Sequence, residues 1–96
     1  MNQLLLNAGI AEASALRYTP AGLPALDMSL KHESEVSENG QPRKVSLEIK
    51  ALAIGEITAK LSAAALGSSG QFGGFLAAIR NGRGIRFHIT AVDLDV

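Results

Sequence analysis

The residues of this chain that could do chemistry are mainly cations, and they fall in two short segments. Arg80, Arg83 and Arg86 lie within seven residues, and no acidic side chain interrupts them. Arg17 precedes Tyr18, the only tyrosine. Guanidinium groups contact phosphates through forked N–H donors, and a cation beside an aromatic ring suits single-stranded nucleic acid. We therefore expect a nucleic-acid contact, although arginines around a tight turn can also serve only to keep a surface soluble.

Catalytic and metal-binding arrangements do not assemble in the sequence. There is no cysteine, and His32 and His88 are the only imidazoles. No carboxylate pair has the spacing of a known ligand set. Gly82-Arg83-Gly84 lacks the wider glycine spacing of a phosphate-cradling loop. We expect His32 to be a hydrogen-bonded strand-end residue, and the sequence favours a binding protein with no cofactor and no metal over an enzyme.

Length and composition limit the size of the interior and the strength of the overall field. Ninety-six residues suffice for one domain, residues 1–96, with a thin core. Nine basic residues balance nine acidic ones, so only local clusters of charge can hold a phosphate backbone. Aromatic residues make up 4% of the chain and tryptophan is absent, so base stacking should be weak. The apolar run Leu4–Leu6 is too short for a secretory core or a membrane span, which favours a cytoplasmic protein without membrane contact.

Apolar alternation predicts five strands, and a change of period predicts one helix. The helix should lie within Gly55–Leu66 and stop at Gly67. Residues His32–Pro42 contain three glutamates and the turn pair Asn39-Gly40, and they should form a long, mobile hairpin loop. The predicted strands are Gln3–Ala13, Leu26–Lys31, Val45–Ala51, Gly70–Ile79 and Ile85–Val96.

The last two strands contain two irregularities. Gly73-Gly74 weakens strand pairing and indicates a sharp bend or a bulge. The apolar parity set by Ile85, Phe87 and Ile89 switches at Val92, Leu94 and Val96, which indicates a bulge near Ala91. Phe72 and Phe87 are expected in the core, Phe75 is left open, and Arg86 and His88 should share the outward face.

Five strands with a short helix between strands three and four is the element order of an OB-fold, an all-β five-stranded Greek-key barrel. Such barrels bind nucleic acid on strands two and three, between the loop joining strands one and two and the loop joining strands four and five. Here those loops are the Tyr18–Gly22 turn and the segment Arg80–Arg86, which we call the arginine hairpin. The expected DNA-binding residues are Arg17, Tyr18, Lys31, Arg43, Lys44, Lys50, Arg80, Arg83 and Arg86.

The turn Leu16–Pro24, with its Arg-Tyr-Thr-Pro-x-Gly order, resembles the first hairpin of bacterial single-stranded DNA-binding proteins. Over nearly its whole length the chain is similar to the PriB family, the primosomal replication protein N. The resemblance is carried by that turn together with Leu4–Gly9, Leu30–His32, Gly70–Leu76 and Arg80–Arg86.

The resemblance to PriB implies a homodimer of OB-folds that binds single-stranded DNA at stalled forks. It also implies stimulation of the PriA helicase and contact with other primosome components. Leu5, an apolar residue on the outer parity of the first strand, agrees with a dimer. A second hypothesis is a protein-interaction module with vestigial DNA contact, because the net charge is zero, rings are few and the Glu33–Glu38 segment is acidic.

Overall fold

The computed structural model describes residues 1–95, so the expected inward position of Val96 lies outside the described residues. It contains six strands and one helix in the described part of the chain. These are β1 (Leu4–Ala13), β2 (Arg17–Tyr18), β3 (Pro24–Glu38), β4 (Gln41–Ile54), α1 (Ile57–Ser62), β5 (Ser69–Ala78) and β6 (Ile85–Leu94).

The sheet closes into a barrel because β1 changes partner along its length. Its first half, Leu4–Gly9, pairs with β5, and its second half, Gly9–Ala13, pairs with β3. The barrel order is therefore β1-β5-β6-β4-β3 and back to β1, with β4 and β6 parallel at Ala51–Ala53. The predicted OB-fold with a helix between the third and fourth barrel strands is confirmed. The sixth strand, β2, is a two-residue addition within the predicted turn.

The core consists of the inward residues of each strand. Phe72 and Phe87 are fully buried, as expected, and Leu61 of α1 is packed into the same cluster. Ile85 was expected in the core with Phe87, but 55% of it is exposed because β6 begins there, next to the hairpin. The helix is shorter than predicted. After it, Gly67 N–H donates to the Ile10 carbonyl at 2.8 Å, which draws this segment onto β1.

A bulge between β5 and β6 sets the direction of the last strand. Gly73 pairs with Ala91 and Gly74 pairs with Ile89, so Thr90 is the extra residue. Both expected irregularities are therefore the two sides of one bulge. Gly74 must be glycine because a Cβ there would overlap the carbonyl oxygen of His88. Because of the bulge, Phe87 before it and Val92 after it both face the core, although they have opposite parity in the sequence.

The predicted long loop at His32–Pro42 is wrong. β3 and β4 stay paired without a break to Glu38 opposite Gln41. Asn39 and Gly40, with φ of 51° and 74°, form a two-residue turn whose twist matches that of the paired strands. The Glu38 carboxylate also accepts a hydrogen bond from Arg43 Nη1 at 2.7 Å. We call the projecting part of this ladder, residues 33–46, the hairpin arm.

Candidate nucleic-acid interface

The turn that precedes β3 is built around one threonine and one glycine. Thr19 N–H donates to the Leu23 carbonyl at 2.8 Å, and its hydroxyl accepts from Leu23 N–H at 3.2 Å. Gly22 has a φ of 85° and its N–H donates to the Thr19 carbonyl at 2.8 Å. Pro20 presets the entry to this turn. The turn returns the chain so that Arg17 lies opposite Ala25 at the start of β3.

Arg17 forms a forked pair with a carboxylate on β3. Its Nε donates to Asp27 Oδ2 at 2.8 Å and its Nη2 donates to Oδ1 at 3.2 Å. The hydrogen bond from Arg17 lowers the pKa of Asp27 from its ordinary value, despite partial burial of the carboxylate. Both side chains are nearly half exposed, at 48% and 40%, so the pair contributes defined geometry more than stability.

Arg86 approaches the same carboxylate from β6. Its Nη1 lies 3.8 Å from Asp27 Oδ1, and 26% of its side chain is exposed. Its Nε is buried and has no hydrogen-bond partner among residues 1–95. Asp27 therefore joins a cation from the first loop to a cation next to the second loop. This arrangement depends on the register in which Asp27 pairs with Leu52, and Leu52 with His88.

Lys50 completes a cluster of cations on this surface. It is paired with Ser29, and its Nζ lies 3.4 Å from the Ser29 hydroxyl. Because the next residue, Ala51, pairs with Phe87, Lys50 is in the same row as Arg86. We call the surface formed by Arg17, Lys50 and Arg86 around Asp27 the basic face. Glu12 lies opposite Ser29 in the same row, so the three positive charges of this face exceed the two carboxylates beside them, Asp27 and Glu12.

Two further arginines project from the hairpin between β5 and β6. The hairpin is closed by a hydrogen bond from Ile79 N–H to the Gly84 carbonyl at 3.2 Å, and Asn81 and Gly84 have positive φ. Arg80 and Arg83 are exposed, and neither forms an ion pair within the described part of the chain. Their charges are therefore available to an anion at the edge of the basic face.

The other predicted cations are placed where nearby carboxylates balance them. Lys44, in the hairpin arm, lies opposite Glu35, and Lys31, just before the arm, lies opposite Glu48, so neither adds an unbalanced positive charge. Arg43, the residue before Lys44, faces the other side of the strand, where it lies opposite Val36 and is paired with Glu38. Arg43, one of the expected DNA-binding residues, therefore does not lie on the same face as Lys44 and Lys50.

Aromatic rings occupy two parts of the surface. Tyr18 is 68% exposed at the base of the first loop, as predicted. Phe75, left open by the sequence, points outward and stacks on His88 with ring centroids 4.8 Å apart. Burial, and then the charge of Arg86, lower the pKa of His88. The outward parity of His88 was visible in the sequence, but its pairing with Phe75 depends on the bulge.

The sequence did not reveal the role of Asp27, because alternation identifies it only as an outward strand residue.

His32 is hydrogen-bonded as expected, but it lies in mid-strand. Its Nδ1 donates to the Asn7 carbonyl at 2.6 Å, and its Nε2 lies 2.8 Å from Ser34 Oγ. Within residues 1–95, no cluster of histidine, aspartate and glutamate could hold a metal ion. None of the helices described there is long and apolar enough to cross a membrane.

A surface groove between β1, β3 and β5 has a different character from the basic face. Its volume is about 630 Å³, and three carboxylates and one lysine stand along it. These are Glu33, Asp93, Asp95 and Lys31. Phosphates are repelled by such a surplus of negative charge, so the groove is not part of the candidate interface.

Comparisons with known proteins agree with this geometry. The model of a family described as "another single-strand binding protein family" matches residues 2–91. The replication restart protein PriB of Bordetella pertussis is 51% identical over 80 residues, which are 83% of this chain and 75% of that protein. The structure of PriB from Ralstonia solanacearum has a TM-score of 0.89 at 33% identity and covers 98% of this chain and 97% of its own. The wild-type single-stranded DNA binding protein from Thermus aquaticus shares the fold, with a TM-score of 0.78 at 23% identity over 100% of this chain and 50% of its own. The chain therefore belongs to the PriB family of replication restart proteins, within the wider family of single-strand binding proteins.

Proposed function

We propose that this protein is a single-stranded DNA-binding accessory of the replication-restart primosome, and that it stimulates the PriA helicase. The observation that carries the proposal is the meeting of Arg17 and Arg86 at Asp27, beside the unpaired Arg80 and Arg83. Kinship with replication restart proteins supports the cellular role. In this proposal residues 1–96 act as one domain in the cytoplasm and need neither cofactor nor metal.

Binding would rest on charge more than on sequence readout. Arginine forks engage phosphate oxygens without regard to the base, and single-stranded DNA is flexible enough to follow an uneven set of cations. The strand would run across the basic face, between the Thr19–Leu23 turn and the arginine hairpin. Because the hairpin arm has three glutamates and only two cations, the contact should be short and sensitive to salt.

Fluorescence anisotropy tests the DNA-binding part of the proposal. A labelled single-stranded oligonucleotide is titrated with the wild-type protein at low salt, and unlabelled single strand and unlabelled duplex of the same sequence are then added as separate competitors. We expect the protein to bind the labelled oligonucleotide. We expect unlabelled single strand to displace it at a much lower concentration than duplex does. Absence of binding at low salt, or equal competition by the duplex and the single strand, would refute the proposal.

A second candidate function is a protein-interaction module with weak or vestigial DNA binding. The zero net charge of the chain and the excess of glutamate in the hairpin arm favour it. The two functions separate in a PriA unwinding assay with the variant Arg80→Ala/Arg83→Ala/Arg86→Ala, whose DNA affinity is measured in parallel. Stimulation lost together with DNA affinity supports the DNA-binding accessory, whereas full stimulation without DNA affinity supports the interaction module.

The proposal includes a homodimer formed through β1. Leu5 points outward and is 64% exposed, which is unusual for a leucine in a strand. Residues 4–8 pair with β5 on one edge and with no second strand among the described residues. An open, apolar strand edge favours pairing with another chain. Light scattering should give twice the monomer mass for the wild type and the monomer mass for Leu5→Glu; a wild-type monomer at micromolar concentration would refute the dimer.

A further inference from the structure

A stacked pair of rings lies on the outside of the barrel, on strands β5 and β6. The ring centroids of Phe75 and His88 are 4.8 Å apart and the planes differ by 14°. The two residues are directly paired across the strands. Phe75 remains 38% exposed, although a phenylalanine in so small a protein would contribute more to stability inside the core. Part of this ring is therefore accessible to a ligand.

The ring pair is continuous with the basic face. Direct pairings place four residues in one row across four strands, and the row reads Asp27, Leu52, His88 and Phe75. Leu52, between the two ends, is covered and only 5% exposed. Three strand spacings separate its ends, so Phe75 lies about 14 Å from Asp27 along the surface. Arg86 stands two residues before His88 on the same face of β6. Its charge is felt by the imidazole, since it contributes to the lowered pKa of His88.

The side of the Phe75 ring away from His88 borders the N-terminal segment. Leu4 is paired with Gly74, and the Asn2 side chain is hydrogen-bonded to the N–H and the carbonyl of Leu76, yet Phe75 remains exposed to solvent. His88 backs the other side of the ring. With its pKa lowered, the imidazole is neutral at neutral pH and adds no charge to the stack. The result is a flat, uncharged aromatic surface next to an arginine.

We propose that Phe75, backed by His88, is a nucleobase-stacking subsite. A phosphate held near Arg86 leaves its attached base within reach of the neighbouring ring, and every base has a π-face that can stack there. This inference rests on the proposed DNA binding and adds a base-dependent contact to an interface that otherwise reads only phosphates.

A tryptophan reporter tests the subsite directly, because the chain has no tryptophan of its own. Phe75→Trp is titrated with an oligothymidylate and, separately, with an abasic oligonucleotide of the same length and phosphate count. We expect the thymidine strand to quench the indole fluorescence and the abasic strand to leave it nearly unchanged. Binding of the thymidine strand without quenching would overturn the proposal.

Affinity measurements with Phe75→Leu give a second, independent test. Loss of one base-ring stack should weaken binding of the thymidine strand by about tenfold and leave binding of the abasic strand unchanged. Leu66→Ala, which removes an exposed apolar side chain from the loop after α1, serves as the control and should not distinguish the two strands. Thermal unfolding checks that each variant is folded.

The outcomes separate this inference from the proposed function. If the wild type binds the thymidine and abasic strands equally, or if Phe75→Leu weakens both equally, DNA binding stands and the stacking subsite falls. If the wild type binds neither strand, the proposed function falls and the subsite with it. If a PriA peptide quenches Phe75→Trp and the thymidine strand does not, Phe75 is a protein contact and the proposal is wrong.

Discussion

The Arg17 guanidinium donates two hydrogen bonds to the Asp27 carboxylate, 2.8 Å from Nε to Oδ2 and 3.2 Å from Nη2 to Oδ1. Arg86 lies on the other side of the same carboxylate, 3.8 Å away. Carboxylate and phosphate oxygens engage the same forked donors of arginine. In the free protein, Asp27 therefore occupies N–H groups that a DNA phosphate would otherwise use.

Asp27→Asn should bind single-stranded DNA more tightly than the wild type. The substitution removes the negative charge that competes with phosphate and keeps the size of the side chain. We expect a gain of about threefold to tenfold at low salt, shrinking as salt screens the charge. Anisotropy titration measures it, with Asp93→Asn, in the acidic groove, as the matched control. A loss of affinity would show instead that Asp27 serves mainly to position Arg17.

Asp27→Asn should also make the free energy of unfolding less dependent on pH in the acidic range. The pKa of Asp27 is lowered in the folded protein, so its ion pair stabilises the fold above the unfolded-state pKa of about 3.9 and is lost as pH falls through the lower folded-state value. Urea unfolding should therefore give the wild type a small advantage over Asp27→Asn at neutral pH. The advantage should persist to about pH 4 and shrink below it. A difference that stays constant into strong acid would contradict this assignment.

Gly74→Ala should disrupt the bulge that orients β6. Its Cβ would overlap the carbonyl oxygen of His88, which is backbone and cannot turn aside. We expect a loss of about 2 to 3 kcal/mol in the free energy of unfolding. Gly73→Ala is the matched control, because its Cβ would lie 3.5 Å from the Leu5 side chain in ordinary contact. Equal stability of the two variants in urea would argue against the observed register.

The hairpin arm should behave as paired strand. Because the arm is paired only within itself, alternate amides of residues 34–37 and 43–46, those hydrogen-bonded across the ladder, should exchange slowly with solvent. NMR should detect cross-strand contacts between Val36 and Arg43. Gly40→Ala places a Cβ at a φ of 74°, at a cost of about 1 kcal/mol, and should speed exchange in the arm more than in the barrel. Rapid exchange throughout the arm of the wild type would restore the mobile loop that the sequence predicted.

The barrel was predictable because local alternation reports which side of a strand is buried. Leu26, Met28 and Leu30 alternate with polar residues, and all three are buried in the structure. The hairpin arm was not predictable in the same way. Its glutamates suggest a solvated loop, and only the two-residue turn at Asn39-Gly40, which sets Glu35 opposite Lys44, shows that the segment is paired strand.

The functional face depended even more on register. Three of its cations were identified from the sequence, but the carboxylate that joins them was not. Asp27 reaches Arg86 only because three strands, β3, β4 and β6, are aligned through Leu52. The stack of Phe75 on His88 likewise requires the extra residue at Thr90. No short window of sequence contains either relationship.

The central claim is that the arginines around this barrel face hold single-stranded DNA by charge, and the salt dependence of binding tests it most directly. The logarithm of the binding constant is measured against the logarithm of salt concentration for the wild type, for Arg80→Ala/Arg83→Ala, and for Lys60→Ala in α1 as control. Loss of two phosphate contacts should make the slope shallower by about 1.4, and the control should keep the wild-type slope. A double variant with the wild-type slope and affinity would contradict the claim.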